Sequence, residues 1–344
     1  MMKNKIGLVI AIFSVMFLLT GCSAKDGMRS VVSFQLGTRI ELSVFEGGSG
    51  NILAEAVDLI SRLENELSRN IEQSEVSRIN MNAGISPVNV SEDVFFIINK
   101  SIYYSELSEG FFDITVGPLV SLWGIGTADV RVPSPEEISK AVDLIDFRKI
   151  KLTPSPLGKM VFLEKKGMEI DLGGIAKGFI ADKVYELFKA DGVKSAIINL
   201  GGDVRLLGRR PEGRLFRIGI QDPFARRGEY LGIYEGENIS IVASGVYERY
   251  YEEDGVRYHH IFDPKTGYPA DNDIMGISVI TDKTADADAL STLLFMLGAK
   301  GALEFTEGLE NAEVIIITKD KKVILSSGIK NSFRLLNNDF VIQN

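Results

Sequence analysis

Three stretches of the 344-residue chain carry side chains whose types and spacing suit chemistry on a phosphorylated ligand. In the first, Asp171-Leu172-Gly173-Gly174-Ile175-Ala176-Lys177-Gly178, a carboxylate, bare backbone and a lysine fall where a strand-like run gives way to a helix. Met168-Glu169-Ile170 ends that strand, and Ile175, Phe179, Ile180, Val184, Leu187 and Phe188 recur at helical spacing after it. Glycines at a helix N-terminus let a ligand approach unpaired N–H groups, and the dipole there favours an anion. A plain strand-to-helix turn has the same composition. The spacing is neither G-x-G-x-x-G nor a P-loop, since no Ser or Thr follows Lys177.

The second stretch, Ala285 through Gly298, reads as a helix that ends in a glycine. Its i, i+4 spacing puts the Asp288 carboxylate and the Thr292 hydroxyl on one face, an all-oxygen pair suited to a hard cation such as Mg²⁺. The helix dipole opposes a cation near the N-terminus by less than about 1 kcal/mol, which a carboxylate and a bound phosphate outweigh. The same acids also simply favour a first helical turn, with Thr292 packed in a core.

The third holds the only two histidines, in Arg257-Tyr258-His259-His260-Ile261-Phe262-Asp263-Pro264-Lys265-Thr266-Gly267. Two histidines argue against a histidine-based zinc or iron site. On a strand His260 would share a face with Tyr258 and Phe262, and His259 with Arg257 and Ile261, so one of them can face a cleft. Asp263 to Gly267 is good turn chemistry whatever its role. Elsewhere Phe111, Phe112 and Asp113 set two aromatics beside a carboxylate, able to stack on a flat ring and accept its N–H, or to be core. Glycine loops also follow strand-like runs at Asn199-Leu200-Gly201-Gly202-Asp203 and Ser244-Gly245-Val246-Tyr247-Glu248-Arg249.

These residues need elements to hold them. Ile52, Leu53, Ala56, Leu59, Ile60, Leu63 and Leu67 mark one amphipathic helix, and Val94, Ile97, Ile98, Ile102 and Leu107 another. Ser134, Pro135 and Glu137 form a capping box ahead of Ile138, Ala141, Val142 and Ile145. Strand-like runs cover 31–45, 159–163, 195–207, 215–220, 239–243, 257–262, 274–281, 312–318 and 322–325. Consecutive strands without intervening helices predict antiparallel sheet and an α+β architecture.

At the start, Lys3 and Lys5 precede an apolar run from Ile6 to Leu19, and Leu19-Thr20-Gly21-Cys22 follows. The run is short for a membrane span and leads through small residues into a cysteine, the pattern of a signal peptide ending in a lipobox. The expectation is a leader over 1–21, a lipid anchor on Cys22, a tether over 22–30 and a single domain over 31–344. Cys22 is the only cysteine, so no disulfide forms within one chain. Without Lys3 and Lys5 the net charge moves from −9 to −11, which argues against a nucleic-acid partner.

Taken in order, the motifs resemble those of the ApbE family of FAD:protein FMN transferases. The likeness runs through Leu36-Gly37-Thr38, Phe112-Asp113-x-Thr115-x-Gly117-Pro118-Leu119, the Asp171 to Gly178 turn and Asn199-Leu200-Gly201-Gly202-Asp203. It continues through Ser244-Gly245-x-Tyr247-Glu248-Arg249, His260-Ile261-x-Asp263-Pro264-x-Thr266-Gly267-x-Pro269 and Ala287-Asp288-x-Leu290-Ser291-Thr292. The resemblance implies a T-fold-like α+β fold, with FAD in a cleft between two interlocked lobes. It implies cleavage of FAD, transfer of FMN to a threonine of a flavoprotein subunit, and release of AMP. By the same resemblance Asp288, Thr292 and the Gly174 carbonyl bind Mg²⁺, while Asp171, Lys177, Phe111, Phe112, Asp113 and Ile261 line the FAD site under Leu36 and Asn70. His260 is the expected base. The implied acceptor carries Asp-x-x-Ser/Thr-Gly-Ala-Thr and belongs to a Na⁺-pumping NADH:quinone reductase or an Rnf-type complex, on the extracytoplasmic side of a bacterial membrane.

Two positions depart from the family pattern. Leu36 stands for the usual methionine, a volume-conserving change. Asn70 stands where many relatives carry an aromatic residue, a swap that would admit water. Two other activities therefore compete: a Mg²⁺-dependent FAD pyrophosphatase giving FMN and AMP, and a flavin-binding lipoprotein without chemistry.

Overall fold

The computed structural model describes residues 27–343 apart from 156 and 157, so the expected leader and Cys22 lie outside the described residues. Among the described residues no helix is long and apolar enough to cross a membrane.

A nine-stranded sheet organises the chain. Its strands run in the spatial order Arg29–Gln35, Thr38–Glu46, Ser195–Leu200, Asp203–Leu207, Ser240–Gly245, Ile274–Thr281, Ala312–Thr318, Lys322–Leu325 and Val341–Gln343. Every neighbouring pair is antiparallel except the last, which is parallel. Alternation along the strands divides the apolar residues between two faces. Val314 and Ile316 enter one core cluster, Ile315 and Ile317 the other. Helices Ile52–Leu67, Ala176–Ala190, Thr284–Met296 and Gly298–Glu307 cover the first face. A three-stranded sheet, Phe333–Leu335, Tyr230–Gly236 and Phe216–Gln221, packs through Leu231, Tyr234 and Phe333 on the second.

A smaller sheet, Val88–Val90, Gly158–Leu163 and Ile150–Ser155, packs with helices Glu75–Met81 and Glu92–Leu107. Val88, Val161, Leu163 and Ile150 join the same core cluster as the main helices. Helix Pro135–Val142 starts with the expected capping box, and with Gly117–Trp123 it buries Trp123 against Ile138 and Phe262.

The expected α+β class, with largely antiparallel sheets, is what the chain forms. Three expected strands differ in extent. The run 31–45 is a hairpin broken at Leu36 and Gly37, whose φ angles of 55° and 65° make the left-handed turn that two-residue hairpins need. The run 195–207 likewise folds back at Gly201 and Gly202, and the run 257–262 stops at His259.

Candidate active site

Helices Ala176–Ala190 and Thr284–Met296 meet where Gly178 touches the first turn of the second. A Cβ on Gly178 would fall 2.8 Å from the Ala285 Cα and nearer still to the Thr284 carbonyl, so a side chain cannot occupy this crossing. Asp182, one turn further on, accepts from the Thr284 and Ala285 N–H groups at 2.8 and 3.0 Å and so satisfies the start of the second helix. The close approach brings Asp288 to the first helix, where its Oδ2 accepts from the Gly178 N–H at 3.0 Å.

Thr292 lies one turn beyond Asp288 and reaches the glycine turn. A Cβ placed on Gly174 would lie 3.3 Å from Thr292 Oγ1 and 3.3 Å from Phe112 Cε2. Lys177 completes the cluster. Its ammonium is ion-paired with Asp203 and stands 4.0 Å from Asp288 Oδ1. Burial opposes the lysine charge, but the Asp203 and Asp288 carboxylates overcome it and hold the pKa above the ordinary value. Burial raises the Asp288 carboxyl to about 7, against the pull of Lys177 and with the help of Asp203. One ammonium thus faces two carboxylates that are 2% and 4% exposed, an excess of buried negative charge. That excess, with hydroxyl and backbone oxygens close by, fits a hard divalent cation. Among the described residues no three His, Cys, Asp or Glu side chains cluster as ligands, so hydroxyl, carbonyl and phosphate oxygens would complete its shell.

The glycine turn is not an open nest of N–H groups. Gly173 donates to Asp171 Oδ1 at 2.7 Å, and Ile175 and Ala176 donate to the Leu172 carbonyl at 3.0 and 2.8 Å. Those three N–H groups are taken up by the turn's own acceptors.

The histidines divide their roles. Strands Tyr250–Glu253 and Val256–His259 pair as a hairpin, and the strand ends before His260. His259 is buried, with Nε2 2.9 Å from the Ala270 carbonyl, Nδ1 accepting from the Ile261 N–H at 3.3 Å, and its ring edge-on to Phe295. It is a packed residue whose pKa burial lowers. His260 is half-buried, and both its amide N–H and its Nδ1 lie 3.1 Å from the Arg249 carbonyl. A carbonyl only accepts, so Nδ1 carries the proton and Nε2 is the basic nitrogen. Loss of hydration, with the positive charges of Arg249 and Lys177 nearby, lowers the imidazole pKa to about 4. The ring is neutral at pH 7.

The other expected residues fall into two groups. Asp171 joins Asn70 through Arg69, whose guanidinium donates to Asp171 Oδ2 at 3.2 Å, the Gly117 carbonyl at 3.0 Å, Ser121 Oγ at 2.6 Å and Glu169. Asn70 itself is exposed just past helix Ile52–Leu67. Phe112 is buried beside Gly174, whereas Phe111 has the Lys265 ammonium 3.7 Å from its ring centre. Asp113 ties its own loop to the turn at Phe147: Oδ1 accepts from the Thr115 N–H and hydroxyl at 2.8 and 2.7 Å, and Oδ2 from the Phe147 N–H at 3.0 Å. Burial raises its pKa. Leu36 sits at the hairpin tip with its N–H on Glu64 Oε1 at 2.7 Å, and Ile261 is buried directly after His260. Sequence reading missed Asp203, Arg69 and Arg249 as parts of the site. Asp203 and Arg249 each lay in a glycine-bearing loop visible in the sequence, whereas Arg69 carried no such signal.

An α+β fold of this layering has been seen before. The chain superposes on the ApbE protein from Thermotoga maritima with a TM-score of 0.83 at 30% identity, covering 89% of this chain and 99% of that one. It superposes on the flavin transferase ApbE from Vibrio cholerae with a TM-score of 0.78 at 29% identity, covering 88% and 98%. The chain belongs to the ApbE family, whose model matches residues 36–316. Relatives named FAD:protein FMN transferase include one from Treponema pallidum (strain Nichols), 35% identical over 85% of this chain and 83% of its own length. Another, from Klebsiella pneumoniae (strain 342), is 36% identical over 89% and 94%.

Proposed function

We propose that this protein is a FAD:protein FMN transferase that splits the pyrophosphate of FAD, joins FMN to a threonine hydroxyl of a flavoprotein subunit and releases AMP. The observation that carries the reading is the His260 ring, held through Nδ1 by the Arg249 carbonyl within electrostatic reach of Lys177, which pairs with Asp203 and stands 4.0 Å from Asp288 Oδ1. In the reaction the threonine Oγ forms a bond to the FMN phosphorus, the bond from that phosphorus to the AMP oxygen breaks, and His260 Nε2 takes the hydroxyl proton. Lys177 offsets phosphate charge. Asp288, Thr292 and the Gly174 carbonyl would hold Mg²⁺, which supplies charge neutralisation on the pyrophosphate when bound. Leu36, Asn70, Phe111, Phe112, Asp113, Asp171 and Ile261 would line the FAD site. A lipid on Cys22 would hold the enzyme to the extracytoplasmic face of a membrane, beside acceptors of the Rnf or Na⁺-pumping reductase type.

FAD hydrolysis is the second reading. It is favoured by one observation, the exposure of Asn70, which would leave water a route to the flavin side if Asn70 covers it. Incubating the purified protein with FAD, Mg²⁺ and a peptide bearing Asp-x-x-Thr-Gly-Ala-Thr separates the two. Transfer adds the mass of FMN to the peptide. FMN and AMP accumulating over an unmodified peptide would make the protein a pyrophosphatase, and FAD surviving intact would make it a binder.

A further inference from the structure

A recess of about 290 Å³ lies outside the FAD and metal residues, between the Tyr250–His259 hairpin and the loop after strand Phe216–Gln221. Phe224, Arg227, Tyr247, Glu248, Tyr250 and Arg257 form its walls. Three of them lead straight into the candidate active site. Tyr247 and Glu248 precede Arg249, whose carbonyl holds His260, and Tyr250 pairs across the hairpin with His259. Anything seated in the recess therefore stands at the foot of the element that presents His260.

The two arginines differ in what they have left to offer. Arg257 is satisfied, donating to Glu252 through Nε at 3.0 Å and Nη2 at 2.9 Å and stacking on Tyr250 at 4.1 Å from the ring centre. Arg227 has no ion-pair partner among the described residues, in a chain whose net charge is −9. Beside it Phe224 and Tyr250 are 46% and 44% exposed, large ring surfaces of the kind that anchor protein partners together with arginine. Glu248 in the same wall disfavours a polyanion such as a dinucleotide. Both hairpin strands pair only with each other, so each outer edge can take the main chain of an extended segment.

We propose that this recess is the docking site of the acceptor polypeptide, an extended segment with an acidic side chain that pairs with Arg227 while aromatic walls hold its backbone near His260. The proposal rests on the transferase reading above. Its test uses the full-length protein, Mg²⁺, FAD and the Asp-x-x-Thr-Gly-Ala-Thr peptide, compared with a peptide whose Asp is replaced by Lys. Arg227→Glu should raise KM for the Asp peptide roughly tenfold, lower KM for the Lys peptide, and keep FAD affinity, which also reports that the variant is folded. Phe224→Ser should raise KM for both peptides. Unchanged peptide KM values for Arg227→Glu overturn the site. A fall in FAD affinity at constant peptide KM overturns it too, by giving the recess to the nucleotide. If the unmodified enzyme cleaves FAD but never labels the Asp peptide, the transferase reading falls and takes this proposal with it.

Discussion

The carbonyl oxygen of Arg249 receives two donors from one residue, the amide N–H of His260 and its ring Nδ1, each at 3.1 Å. This pairing closes the base of the hairpin and fixes the ring tautomer in one stroke. An imidazole held this way keeps Nε2 unprotonated through the neutral range, because burial has lowered its pKa to about 4. Replacing His260 with alanine should cost about 10²-fold in transfer, the usual worth of a positioned general base. At saturating Mg²⁺ the acid limb of kcat/KM should fall well below pH 6.5, since that parameter reports the free enzyme. A limb centred at the ordinary imidazole value would detach His260 from the proton transfer.

The same shift has a sign in stability. A histidine whose folded pKa is below its unfolded value binds fewer protons when folded, so its contribution is present above about pH 6.5 and is lost as the pH falls towards 4. Asp288, raised to about 7, works in the opposite direction over an overlapping range. The useful measurement is therefore a difference. His260→Gln should lose less thermal stability than the parent between pH 6.5 and pH 4, and parallel Tm curves would show that His260 does not titrate as its burial requires.

Protonation of Asp288 should also compete with the cation. Below about pH 7 the carboxyl gains a proton, so half-saturation should need more Mg²⁺ at pH 6 than at pH 8. Asp288→Asn keeps an oxygen for the Gly178 N–H and should leave the fold intact while abolishing Mg²⁺-dependent turnover. Near-normal turnover in that variant would move the metal elsewhere.

Two glycines four residues apart should fail in different ways. Gly178→Ala drives a methyl into the Thr284 carbonyl and the Ala285 Cα, backbone atoms of a buried helix, and should cost about 1–3 kcal/mol in denaturant unfolding. At Gly174 the added methyl meets only Phe112 Cε2 and Thr292 Oγ1 at 3.3 Å. Gly174→Ala should therefore unfold like the parent yet lose activity, and equal destabilisation by both changes would deny Gly174 a role beyond packing.

These glycines also mark how far local pattern reaches. Strands 274–281 and 312–318, the capping box at Ser134 and the shared face of Asp288 and Thr292 were legible because each depends on neighbours within a turn or a strand. Strand Tyr230–Gly236 was not, since its buried residues alternate poorly and it ends in glycine. The Leu36 turn was hidden because leucine rarely adopts positive φ. Lys177 with Asp203, and Arg69 with Asp171, join residues 26 and 102 positions apart, and only the tertiary fold brings such pairs together.

Arg69 gives the sharpest test of that long-range order. Its guanidinium binds Asp171, Glu169, Ser121 and the Gly117 carbonyl, while the next residue, Asn70, and its partner Asp171 are both expected at FAD. It is thus a positioning residue that fixes helix Ile52–Leu67 against the glycine turn. Arg69→Ala leaves the half-buried Asp171 and Glu169 carboxylates facing each other without a cation, at a cost of about 1–3 kcal/mol. Lysine cannot reproduce the fork, so Arg69→Lys should restore stability more than FAD binding. Kinetically, KM for FAD should rise in both variants with kcat nearly unchanged, because no atom of Arg69 is placed at the reacting phosphate. A loss confined to kcat would contradict the positioning role and place Arg69 in the chemical step.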